Sequence, residues 1–270
     1  ALLLTAVTTA ACVGFEYLYC MLMKKPNPVG DLSAVVTGII LAMNFPVTLP
    51  LWMGIVGAFI SIVLVKQLFG GLGYNFANPA LVGRIALFSG FSSAMTNWKF
   101  PAAAVDQLSS ATPLQVADPG ALNPMDLFLG VHGGVMGETC ALAILIGFVW
   151  LVATKTISPA IPVTYVATVA VMSLLCGQNV MVQLLSGGLL FGAVFMATDY
   201  VTSPFTLKGK IVFGIGLGII TSAIRFWGNM AEGVSFAILL MNLWVPYIND
   251  LTHQVPLGYK KPEKKKEAAK

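Results

Sequence analysis

The chain has 270 residues, of which 57 % are hydrophobic and 10 % charged, and its mean hydropathy is +0.84. An ordinary soluble domain has about a quarter of its residues charged, so this composition excludes a soluble globule. At roughly 20 apolar residues per bilayer-spanning helix, it describes an all-α integral membrane protein with about 8–10 transmembrane or half-membrane helices. The formal net charge of +4 does not point to nucleic acid. Much of the excess sits in the closing YKKPEKKKEAAK, which reads as a basic cytoplasmic tail, 251–270, near anionic membrane lipid.

Taken in order, apolar runs bounded by Pro, Gly and charge predict helices at 1–22, 33–44, 48–69, 78–92, 137–154, 159–176, 183–198, 210–227 and 233–249. The first opens directly in ALLLTAVTTAACVGF, with neither a basic leader nor an initiator Met, and reads as a chain whose true N-terminus lies upstream. Glu16 lies within that run and reads as a snorkelling or inter-subunit group. The second and fourth runs are too short to cross alone and lie near Gly or Pro. Broken or partly inserted helices are expected there, covered by other helices or by a polar cavity.

Lys and Arg gather on the cytoplasmic side of membrane proteins. With the tail cytoplasmic, counting back puts Lys24, Lys25, Lys66, Lys155, Lys208 and Lys210 on that side. The long polar connection 93–136 falls outside. Arg84, Lys99 and Arg225 do not follow the pattern. Residues 1–250 thus read as one polytopic membrane domain.

NFANPALVGRI at 75–85 and DYVTSPFTLKGKI at 199–211 share a polar start, a Pro, then Gly and a basic residue. Such an echo suggests two related parts framing a polar site. Asn75 either caps a broken helix or offers its carboxamide to a ligand, and Asn78 precedes Pro79 in the same turn. Asp199, after an apolar run, needs a partner or a function; it could orient a ligand, sense a cation, or cap a helix starting near Thr202. Cys12, Cys20, Cys140 and Cys176 are widely spaced, with no CxxC, and read as small buried thiols. His132 and His253 have no acidic or Cys companions, so no metal site is expected.

The most informative stretch is VDQLSSATPLQ at 105–115, a polar segment in which Pro113 forces Thr112 out of helical geometry. By itself such a run is an N-cap or a solvated turn. Asp106-Gln107-Leu108-Ser109-Ser110-Ala111-Thr112, however, resembles the D-x-x-[ST]-G-A-T signal at which a flavin transferase joins FMN to the Thr hydroxyl through a phosphodiester bond. Ser110 stands where that pattern often has Gly. The signal occurs in membrane subunits of two related complexes, the D subunit of the Rnf ferredoxin:NAD oxidoreductase and the B subunit of the sodium-pumping NADH:quinone oxidoreductase. GYNFANPALVGRIALF at 73–88, ATDYVTSPFTLKG at 197–209 and EGVSFAILLMNLWVP at 232–246 extend the resemblance over nearly the whole chain. Together they are more similar to the Rnf protein of this pair.

The resemblance implies a fold of two related halves like the urea and ammonium channels. It implies covalent FMN on Thr112, with Asp106, Ser109, Ser110 and Ala111 as the recognition motif. A second, non-covalent flavin, riboflavin, is implied near the Asn-containing turn, with Asn75, Asn78, Arg84 and Asp199 as candidate contacts. It further implies an inner-membrane complex that moves Na⁺ or H⁺ outward as electrons pass from ferredoxin to NAD. The implied partners are a second FMN-carrying subunit, iron–sulfur subunits and the flavin transferase. With no G-x-G-x-x-G after a strand and no cluster-binding Cys run in this chain, donor and final acceptor sites are expected on those partners. A small-solute channel and a purely structural anchor are the rival readings, distinguished from it by whether flavin is bound.

Overall fold

The computed structural model describes residues 1–97, 114, 124–130, 132–228 and 233–253. The motif residues Asp106, Ser109, Ser110, Ala111 and Thr112, Lys99, and the basic tail from 254 lie outside them. Within the described residues every regular element is helical.

α1 (Leu2–Leu22), α11 (Leu207–Trp227) and α12 (Val234–Leu251) are each long and apolar enough to cross a membrane. At 1.5 Å per residue, 21 residues reach about 31 Å, the thickness of the hydrocarbon layer. α2 (Ser33–Met43) and α4 (Pro79–Gly90) have 11 and 12 residues. They reach only about 16–18 Å and are the short helices expected from the sequence. α3 (Leu51–Phe59) continues without a break as a π-helix, Ile60–Gln67. It stops where Gly70 and Gly71 take positive φ, a conformation that glycine adopts without steric cost. α5 (Ser92–Met95) and α6 (Pro124–Leu129) are short, and α7 (Ala141–Ala153) and α8 (Ala160–Leu175) follow.

Two of the expected helices are corrected. The run at 183–198 is α9 (Val180–Leu185), a break, then α10 (Leu189–Phe191) prolonged as a π-helix over Gly192–Met196. Gly187 and Gly188, both left-handed at φ +69° and +68°, make the break inside an otherwise apolar window. The helix expected from 137 begins at Ala141. Before it the backbone pairs with the end of α2 instead: the N–H of Gly137 donates to the Met43 carbonyl at 2.7 Å, and that of Met136 to Phe45 at 3.1 Å.

The helices form two related halves, each with its own core. One core joins Leu4, Cys12, Leu41, Phe45, Met53, Ile62 and Leu87 from α1–α4. The other joins Ile144, Tyr165, Leu189, Phe213, Leu217 and Ile238 from α7–α12, together with Leu81 of α4. α1 packs on α2 and α3 as α8 packs on α10 and α11, α4 packs on α3 as α12 packs on α11, and α4 meets α12 across the junction.

Close approach depends on missing side chains, as is usual where lipid-facing helices lack a hydrophobic drive to associate. A Cβ on Gly38 would lie 2.7 Å from Thr9 Cα, and one on Gly83 would collide with Ser61 and stand 2.9 Å from the Gly57 carbonyl.

Candidate functional site

The turns at 75–79 and 197–202 come together at the junction. Asn78 is the N-cap of α4, with Pro79 in the first helical position. Its Oδ1 accepts from the N–H groups of Ala80 (3.1 Å) and Leu81 (3.3 Å), two donors that the helix start would otherwise leave unmatched. Its Nδ2 donates to the Met196 carbonyl at 3.3 Å, in the other half. Asn242 of α12, oriented to satisfy its neighbours, accepts from the Asn78 N–H at 3.3 Å and donates to the Thr202 carbonyl at 3.1 Å. A single carboxamide thus starts one helix and ties the halves together.

Asp199 closes its own turn. Thr202 Oγ1 donates to it at 3.0 Å and the Val201 N–H at 3.5 Å. The helix expected near Thr202 starts instead at Leu207, capped by Thr206 Oγ1, which accepts from Gly209 N–H at 3.0 Å. The capping role weighed for Asp199 therefore belongs to Thr206.

Between these turns, α2, the end of α7 and the π-helix after α10 lies a cleft of about 520 Å³, within the roughly 300–1,000 Å³ usual for ligand sites. Ile40, Leu151, Val194 and Phe195 make apolar walls; Asn75, Thr156, Thr198, Asp199 and Tyr200 supply polar groups. Asn75 Nδ2 also donates to the Ala77 carbonyl at 3.0 Å, which fixes the carboxamide at the edge of the turn. Both π-helical segments reach this cleft, one through Lys66 and the other through Val194 and Phe195. Such local widenings of a helix are common at functional sites.

Arg84 is not among the cleft-lining residues. One turn into α4 it is buried and donates to Asn44 Oδ1 at 3.1 Å and Ser235 Oγ at 2.8 Å, joining the end of α2 to the start of α12. Desolvation holds it in that polar seat, because a buried guanidinium needs acceptors close by.

The sequence did not reveal the polar chain on the far wall. Lys66 lines the cleft, and its Nζ lies 2.7 Å from Glu16 Oε1, with side-chain exposures of 3 % and 0 %. Gln67 Nε2 donates to the same oxygen at 2.8 Å. Lys66 also donates to Ser33 Oγ, and Ser33 to Asp31 Oδ1, both at 2.5 Å. Glu16 is therefore an enclosed ion-pair partner and does not snorkel. The available signal was the coincidence of one acid and one base in neighbouring apolar runs, each needing a partner in a low dielectric. At the edge of the cleft, desolvation works against ionisation of Asp31, but hydrogen bonds from the Ser33 hydroxyl and N–H hold its carboxyl below the usual range.

Isoalloxazine is a flat apolar ring system edged with hydrogen-bond donors and acceptors. The cleft matches it in size, in its apolar walls and in its carboxamide and hydroxyl groups. Its charge suits a ligand without phosphate: Lys66 is balanced by Glu16, which leaves the formal charges of Asp31 and Asp199.

Taken together, the apolar helices and the cleft between their broken segments define a polytopic membrane protein with a polar cleft inside its helical bundle. The chain belongs to the NQR2, RnfD, RnfE family, whose model matches residues 1–258. It is 44 % identical to the D subunit of the Na(+)-translocating ferredoxin:NAD(+) oxidoreductase complex of Acetobacterium woodii, covering 99 % of this chain and 86 % of that protein. It is 38 % identical to the D subunit of the proton-translocating ferredoxin:NAD(+) oxidoreductase complex of Clostridium ljungdahlii, covering 92 % and 81 %. With the D subunit of the ion-translocating oxidoreductase complex of Stutzerimonas stutzeri the identity is 36 %, covering 92 % and 82 %.

Proposed function

We propose that this chain is the D-type membrane subunit of an ion-translocating ferredoxin:NAD oxidoreductase complex in the inner cell membrane, carrying FMN covalently on Thr112 and riboflavin in the cleft. Similarity over nearly the full length to the D subunits of such complexes carries the reading, and it favours that complex over the sodium-pumping NADH:quinone oxidoreductase. The relatives are named for Na⁺ in one case and protons in another, so the ion moved is Na⁺ or H⁺.

Flavins accept and donate one or two electrons, and the protein around them supplies position, dielectric and hydrogen bonds. Thr112 would hold one ring on the outer face. Asn75, with Asp199 as its neighbour, would orient the second by the ring edge, while Ile40, Leu151, Val194 and Phe195 exclude water from its faces. A second FMN-carrying subunit and iron–sulfur subunits would bring and remove the electrons, and a flavin transferase would load Thr112.

Denaturing electrophoresis with in-gel flavin fluorescence tests the covalent site. A fluorescent band is expected for the wild type and none for Thr112→Ala; an unchanged band in the variant refutes the assignment. Acid extraction of the purified complex tests the cleft: riboflavin is expected from the wild type, with a loss of about tenfold in retention for Asn75→Leu, which removes the polar edge.

A further inference from the structure

The polar chain on the far wall has one end in solvent and the other in the cleft. Asp31 closes the short 3-10 turn Val29–Asp31 ahead of α2 and is exposed. Its Oδ1 accepts from the Ser33 hydroxyl at 2.5 Å and from the Ser33 N–H at 2.8 Å. The Ser33 oxygen in turn accepts from Lys66 Nζ at 2.5 Å. Lys66 has a side-chain exposure of 3 % and lines the cleft. A carboxylate, a hydroxyl and an ammonium, each able to hold or pass a proton, thus stand in unbroken hydrogen-bond contact from the surface inward.

The surroundings keep this chain to one route. Lys66 faces Glu16, 2.7 Å away, and lies within the field of Cys12 and Cys20 on the same buried face of α1. These three side chains are closed to solvent, so they have no water with which to exchange protons. Asp199 lies across the cleft and is tied into its own turn by Thr202 and Val201. Asp31 is the acid that is both joined to Lys66 through Ser33 and open to water.

We propose that Asp31, Ser33 and Lys66 relay protons from solvent to the redox ring held in the cleft. The inference rests on the riboflavin reading and adds to it the path of the protons. A flavin that gains two electrons also gains two protons at its ring nitrogens; the carriers of the complex supply the electrons, and water supplies the protons. In each transfer Lys66 gives one proton into the cleft. Ser33 then turns its hydroxyl from Asp31 to the free amine and passes its proton on, taking another from the Asp31 carboxyl, which is recharged from water. One proton enters at the surface for each one released, and the ammonium opposite Glu16 is restored, so the buried carboxylate is not left stranded.

The test uses the purified complex, mixed in a stopped-flow cell with reduced ferredoxin. A pH-indicator dye follows proton uptake, flavin absorbance follows the electrons, and both are normalised to the riboflavin released by acid extraction. Asp31→Asn keeps an oxygen for the Ser33 N–H but carries no proton, and Ser33→Ala interrupts the chain. Each is expected to slow proton uptake at least about tenfold. Azide, a small mobile acid and base, should restore the rate in Asp31→Asn and not in Ser33→Ala, and Ser33→Thr, which keeps the hydroxyl, should stay near wild type. Wild-type uptake in Asp31→Asn or in Ser33→Ala overturns the relay. So does a slow Asp31→Asn that azide does not restore, or a Ser33→Thr as slow as Ser33→Ala, because shape and not proton exchange would then be the cause. A wild-type complex that releases no riboflavin on extraction overturns the cleft reading itself, and the relay with it.

Discussion

Lys66 Nζ and Glu16 Oε1 lie 2.7 Å apart with both side chains closed to solvent, so a complete ion pair is enclosed between α1 and the π-helical end of α3. Removing one member of such a pair strands a charge, at a cost of about 3–5 kcal/mol, whereas removing both is often close to neutral. Lys66→Met should accordingly lower the thermal unfolding midpoint of the purified complex sharply, and Glu16→Gln combined with Lys66→Met should recover most of the loss. Scanning fluorimetry on the three complexes decides it. A double variant as unstable as the single one would show that the pair is not the reason.

Asn78 joins two tasks, and the variants separate them. Asn78→Ala removes both the cap on α4 and the bridge to Met196, and should destabilise by about 1–2 kcal/mol. Asn78→Ser keeps a capping oxygen but is too short to reach the other half. Its unfolding midpoint should fall between alanine and wild type, and equal midpoints for Ser and Ala would mean that the cap contributes nothing.

Gly83 sets how near α4 can come to α3. Gly83→Val drives a branched side chain into Ser61 and the Gly57 carbonyl, and overpacking of this kind costs about 1–3 kcal/mol. α4 carries Asn78, Pro79 and Ala80 on the cleft wall, so the same variant should also retain less riboflavin through purification. Gly90→Val, at the end of the same helix with open space around it, should change neither quantity. Normal retention in Gly83→Val would separate the cleft from the packing of α4.

Much of this architecture was legible from apolar run length and from Gly and Pro. The edges of α1, α8, α11 and α12 fall within a few residues of expectation, and the two short helices were recognisable because 11 or 12 apolar residues cannot cross a bilayer. The failures share a cause. Ser186-Gly187-Gly188 sits in an apolar window, so hydropathy runs straight through a break made by backbone dihedrals. Residues 137–140 look like the start of the apolar run that follows, but the N–H of Gly137 is taken by α2 instead of by a helix of its own.

The site was legible in part. Asn75, Asn78 and Asp199 were singled out from two similar turns, and the structure brings those turns together at one cleft. Arg84 was a candidate flavin contact only through the resemblance. Its direction on the helix sends it to Asn44 and Ser235, and one-dimensional spacing cannot show that.

Because the cleft takes one wall from each half and Asn78 fastens the two walls together, the halves cannot rock without reshaping it. Occupancy and inter-half motion are therefore bound by linkage. A ligand that favours one arrangement of the halves must be held more tightly by it, and by the same factor must bias the protein towards it. A coloured guest in that position would report on any such rearrangement through its spectrum.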